Sequence, residues 1–129
     1  MPEIIQIELL GRKHTITLPG MAEREELAAA LHELNQGKLT AFQTLRRLAA
    51  ALGLCTRLGR ESGQTYAGHG YDLAGYGGAV YAWLRQQGVE PRDIVAPGRA
   101  CLGACAESLM PREVEVKARA DFSDPAGAN

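Results

Sequence analysis

Residues 4–18 constrain this chain more than any other stretch, because apolar side chains recur at every second position on both sides of a glycine. That alternation is the signature of a half-buried β-hairpin. Gly11-Arg12 is expected as a two-residue loop, with Gly11 supplying the positive φ that a type II′ turn needs at its first central position. Leu10 then faces Lys13, Leu9 opposes His14, Ile7 opposes Ile16 and Ile5 opposes Leu18. Strand side chains alternate between faces, so these Ile, Leu and His residues share one face, while Gln6, Glu8, Thr15 and Thr17 share the other. A hairpin alone is marginal in water, so this one must cover a helical layer. Pro19-Gly20 ends it.

The rest of the chain supplies that layer. Leu27, Leu31 and Leu34 form an apolar stripe over a helix at 21–35, and Glu23, Glu25 and Glu26 crowd its first turn, where the helix dipole favours anions. Thr40 and Gln43 are spaced as a capping box for a second helix. Phe42, Leu45, Leu48, Ala49 and Leu52 are expected on its buried face, and Gly53 is expected as its stop. Residues 53–70 read as a long glycine-rich loop carrying Arg57, Arg60, Tyr66 and His69. Asp72 is expected to cap a third helix that runs to Gln87 and stops at Gly88, with Leu73, Tyr76, Gly77, Val80 and Leu84 on one side. Gly75, Gly77 and Gly78 lower the helix propensity there and point to close approach of another backbone or to fraying. Pro91 opens a fourth helix reaching Met110, which Pro97-Gly98 should kink or split near Ala96. Residues 111–122 alternate as a strand would, yet Val114, Ala118 and Phe122 also fit one helical face; Pro111 tilts the reading to helix. Residues 123–129 read as a disordered tail. The expected fold class is α+β and mainly helical, an N-terminal two-stranded hairpin packed on four or five α-helices, with residues 1–122 as a single domain.

Composition excludes several function classes. A length of 129 residues suits one domain. Fourteen basic against fifteen acidic side chains argue against a uniformly basic nucleic-acid binder. Three cysteines cannot make a full disulfide framework and fit a reducing compartment, so a cytoplasmic location is expected. No apolar run is long enough to cross a membrane, and the N-terminus lacks the cationic start of a signal peptide.

No catalytic constellation emerges. Cys101 and Cys105 share a helical face, but only Cys55 and His69 could join them as ligands, so they are expected as small core hydrophobes rather than a zinc site. His14 reads as a partly buried structural residue, His32 as solvated, and His69 as a loop residue without a matching acid. No metal and no cofactor are expected. Lys38, Arg46, Arg47, Arg57 and Arg60 fall in a stretch free of acidic residues. Most such runs are solvated faces. The alternative is a helix-turn-helix over residues 40–63, with Arg46, Arg57 and Arg60 contacting nucleic acid; Gly59 and Gly63 make a poor recognition helix. Every Tyr and Trp lies between Tyr66 and Trp83. Such residues are enriched at protein interfaces, which makes Tyr66, Tyr71, Tyr81 and Trp83 the candidate partner-binding set.

The order of elements, with GRKHTITL at 11–18, LAAALHELNQGKLTAFQTLRRLAAALG at 27–53, GGAVYAWLRQQGV at 77–89 and IVAPGRACLGACAESLMP at 94–111, resembles the tail assembly chaperones of tailed phages. The resemblance is to the small type encoded in gene transfer agents and prophages. It covers about two thirds of the chain, and the 53–70 loop and Pro97 depart from it. The resemblance implies a non-enzymatic assembly factor that binds tail proteins, the tape measure or the tail tube, in the host cytoplasm during virion morphogenesis. A structural virion connector is the neighbouring reading. The family offers no catalytic motif to map, and homo-oligomerisation stays open.

Overall fold

The computed structural model describes residues 5–110; the stretch 111–122 and the tail after it lie outside the described residues. Strands β1 (Gln6–Leu9) and β2 (Arg12–Thr15) form an antiparallel hairpin, followed by helices α1 (Met21–Asn35), α2 (Ala41–Cys55), α3 (Leu58–Ser62), α4 (Leu73–Gln86) and α5 (Val95–Ser108). Short 3₁₀ turns at Ala67–His69 and Pro91–Ile94 precede α4 and α5. The fold is α+β and mainly helical, as the sequence leads one to expect.

The hairpin differs from expectation by one turn position. Gln6 pairs with Thr15, Ile7 with His14, Glu8 with Lys13 and Leu9 with Arg12, so Leu10-Gly11 is the loop. Leu10 (φ 57°) and Gly11 (φ 70°) are both left-handed, the geometry of a type I′ turn, whose twist matches the strands. The left-handed Leu10 costs about 1–2 kcal/mol, and its contact with the core offsets part of that. Each residue's cross-strand partner shifts by two places, so the side chains keep their faces. Ile7, Leu9 and His14 are buried. Ile5 and Leu18 are 40% and 42% exposed, against expectation, because Ile5 pairs with Ile16 at the open end of the ladder and Leu18 lies beyond it. His14 is buried as a structural residue, its Nε2 donating to the Leu9 carbonyl at 3.1 Å.

Helix α2 is the axis of the fold. Its capping box forms as read: Thr40 Oγ1 accepts from the Gln43 N–H at 3.1 Å, and the Gln43 side chain accepts from the Thr40 N–H at 2.9 Å. Every residue from Leu48 to Gly53 is buried. Three consecutive alanines there, Ala49, Ala50 and Ala51, let α4 and α5 approach from different sides. Gly77 completes the α4 contact, because a Cβ on it would overlap the Arg46 carbonyl oxygen. Gly98 does the same for α5, where a Cβ would sit 2.7 Å from that of Leu48. The hairpin and α1 close the other side, packing on α5.

Two expectations need correcting, and a third holds with its break placed one or two residues earlier. Gly53 does not stop α2, which runs on to Cys55; the Thr56 backbone turns extended and its hydroxyl donates to the Leu52 carbonyl at 2.6 Å. The 53–70 segment is not a plain loop, because it holds α3 and a 3₁₀ turn. Gly59 is a packing residue there: a Cβ on it would collide with the Gly53 carbonyl and stand 2.7 Å from the Tyr76 hydroxyl. The fourth predicted helix splits at Ile94 and Val95, so Pro97 falls in the first turn of α5, where no intrahelical N–H is needed.

Candidate partner-binding surface

The aromatic residues take different places. Tyr66 is buried, and its hydroxyl donates to Glu26 Oε1 of α1 at 2.8 Å. Burial first, then that hydrogen bond and the Glu26 charge, pushes its phenol well above the ordinary tyrosine value. Its ring meets Tyr71 edge-on at 5.4 Å and Tyr76 at 5.7 Å. Tyr76 is buried under α2, and burial pushes its phenol up to about 12. His69 caps the group, its ring 6.1 Å from Tyr76 and its Nε2 2.7 Å from Gln64 Oε1.

Tyr71 is the outward member. It is 62% exposed and left-handed at φ 58°, directly after Gly70 at φ 65°. This double left-handed turn ends the 3₁₀ segment before Asp72 caps α4, with Asp72 Oδ2 accepting from the Gly75 N–H at 3.2 Å. Tyr71 overhangs a cleft of about 330 Å³ lined by Glu26, Glu33, Arg47, Asp72 and Ala74. Arg47 and Glu33 pair within it at 3.2 Å.

Along α4, Ala74, Gly78 and Tyr81 are spaced four and three apart, so they share one side of the helix. Tyr81 meets Phe42 of α2 edge-on at 6.4 Å. Phe42 was expected in the core and is 51% exposed, because the buried part of α2 begins only at Leu48. The Arg46 guanidinium carbon stacks 4.1 Å above the Phe42 ring, a cation–π contact, and the same side chain lies beside Gly78. The result is a seam between α2 and α4. Tyr71 stands at one end, Phe42 and Tyr81 at the other, with small Ala74 and Gly78 between. Phe42 and Arg46 are the residues the aromatic reading missed; their i, i+4 spacing on an otherwise weakly apolar first turn was the available signal. Trp83 belongs to another side of α4, since two positions along a helix turn the side chain by about 200°, and it packs against the core.

The basic candidates separate. Arg57 and Arg60 are exposed and line a hollow with Leu18 and Pro19. Arg46 lies nine positions before the end of α2, about 14 Å along the helix, and Arg57 follows the extended Thr56 beyond that end. The element after the turn, α3, has five residues and ends at left-handed Gly63. That is too short to lie along a major groove as a recognition helix.

The three cysteines are free and buried between α2 and α5. Cys55 and Cys105 bring their Sγ atoms to 3.6 Å. Hydrogen bonding with Cys101 raises the Cys55 thiol, and hydrogen bonding with Cys55 followed by burial raises Cys105. All three are buried packing residues, and the raised Cys55 and Cys105 thiols stay protonated at neutral pH. Among the described residues no group of three His, Cys, Asp or Glu is arranged to hold a metal ion, and no helix is long and apolar enough to cross a membrane. Comparison with family models, curated proteins and solved structures finds no match for the chain.

Proposed function

We propose that the protein is a non-enzymatic phage tail assembly chaperone that binds the tape measure or tail-tube protein through the α2–α4 seam. The reading is supported by the resemblance in element order and by one structural observation above all. Phe42, Tyr71 and Tyr81 stand along one side of two tightly packed helices without forming a core of their own. A seam with aromatic ends, with Arg46 lying beside Gly78 between them, suits an amphipathic partner helix whose apolar positions recur every three to four residues. The aromatic side chains bring large contact area at low entropic cost, since each has few rotatable bonds. Tyr71 and Phe42 are already positioned by neighbouring rings, which reduces the ordering cost of binding.

The test is co-expression with candidate tail proteins followed by affinity capture. The proposal predicts that a tape-measure or tube protein stays soluble and is retained. Failure to retain any of them counts against it. Mass spectrometry of purified particles separates a chaperone, which should be missing, from a virion connector, which should be present.

A further inference from the structure

We propose that the outer edge of β1 is a second docking site, one that receives an extended segment with apolar and basic side chains in alternation. This site is separate from the α2–α4 seam and does not rest on the chaperone reading.

Among the described residues the sheet has two strands, so each strand has one edge with no partner strand there. The Ile16 N–H donates to the Ile5 carbonyl at 2.9 Å, which makes Ile5 and Ile16 a hydrogen-bonded pair. In an antiparallel ladder such pairs alternate with non-bonded ones, so Ile7 and Leu9 also point their backbone groups at β2. Gln6 and Glu8 therefore turn their N–H and C=O groups away from β2. Among the described residues these groups have no hydrogen-bond partner. Unpaired edges of this kind are templates for strand addition.

The edge faces a groove rather than a wall. Two adjoining hollows, of about 390 and 340 Å³, share Glu8 and Asp93. Their apolar lining comes from Ile7, Leu9, Val89, Ala96 and Pro97. A strand added beside β1 places alternate side chains toward this lining and the others outward beside Glu8. Glu8 and Asp93 are the charged residues of both hollows, and no Lys or Arg lines either one. None of the described ion pairs engages Glu8 or Asp93. Charge complementarity thus selects Lys or Arg at the outward positions and disfavours acidic segments.

The experiment uses the full chain and a short synthetic peptide of alternating Val and Lys, with an alternating Val and Glu peptide as control. Amide hydrogen exchange and amide chemical shifts read the edge directly. The Val/Lys peptide should slow exchange at Gln6 and Glu8 and leave the amides of Ile7 and Leu9 unchanged. Glu8→Gln combined with Asp93→Asn should weaken it about tenfold, about threefold for each rim carboxylate. Gln6→Pro removes an edge donor without touching the β2 ladder and should abolish the protection; the carboxylate variants keep the test decisive should that variant misfold. No binding by the Val/Lys peptide, or equal binding by the Val/Glu peptide, would overturn the proposal. So would Gln6 and Glu8 amides already protected in the protein alone, which would mean that another part of the chain or a second copy occupies the edge.

Discussion

Two glycines in α-helices show how one residue type carries opposite instructions. Gly77 has no room for a methyl group, because α4 touches the α2 backbone there. Gly103, inside α5, has nothing within 4 Å of where a Cβ would stand. Gly77→Ala should therefore lose roughly 1–3 kcal/mol through overpacking, outweighing its gain in helix propensity. Gly103→Ala should gain about 0.5–1 kcal/mol from propensity alone. Chemical denaturation of both variants measures the difference, and equal effects would refute the packing account. The cysteines make a second residue-scale case. Full burial of Cys55, Cys101 and Cys105, together with the raised Cys55 and Cys105 thiols, predicts slow reaction with an aromatic disulfide reagent in the native state. All three should react at once after denaturation. Rapid native labelling of any of them would contradict the burial described.

At the scale of elements, the parts legible in the sequence are those with local chemical punctuation. Thr40 and Gln43 gave the start of α2, and Asp72 that of α4, because a cap needs its side chain at a fixed offset from the N–H groups it satisfies. Thr40→Ala should cost about 1 kcal/mol for that reason, measured as a lower denaturation midpoint with an unchanged slope. The hairpin was legible in its faces but not in its turn. Alternation sets the face, whereas choosing Leu10-Gly11 over Gly11-Arg12 depends on a strained leucine held by tertiary contacts. The tertiary links include the Thr17 N–H donating to the Cys55 carbonyl at 2.7 Å, and the Arg12–Glu61 pair at 2.7 Å, which holds Glu61 below the ordinary carboxylate range. The glycine-rich segment was the least legible. Gly59 resembles a loop residue in sequence and acts as a spacer between α3 and α2, a role that requires knowing its distant neighbour Tyr76. The binding surface was half legible for the same reason. Clustering in sequence picked out Tyr71 and Tyr81, but folding buried Tyr66, turned Trp83 to another side, and brought in Phe42 from a different helix.

The whole molecule is a core of small and aliphatic side chains around α2, with aromatic hydroxyls at its border. Tyr66 and Tyr76 both resist ionisation, chiefly through burial. Their folded pKa values lie above those of the unfolded chain, so between about pH 10 and 12 the unfolded chain binds fewer protons than the folded one. Stability is thus fully present below pH 10 and falls as pH rises through that window. Alkaline titration should show a fraction of the tyrosinate absorbance appearing only with unfolding, and Tyr66→Phe should make the decline shallower. A single early tyrosinate transition with the fold intact would contradict this. Exposed Phe42 and Tyr71, with Tyr81 half-buried against the core beside Phe42, are the residues the functional reading uses. The most direct test of that reading is affinity capture of a co-expressed tape-measure protein by the wild-type chain and by Phe42→Ala combined with Tyr71→Ala. Both positions are more than half exposed, so the variant should fold as the wild type does, at a stability cost of about 1–3 kcal/mol from the lost ring contacts. The account predicts robust capture by the wild type and at least tenfold less by the variant, the loss of about 1.4 kcal/mol or more expected when interface aromatics are truncated. Equal capture by the two proteins would contradict it.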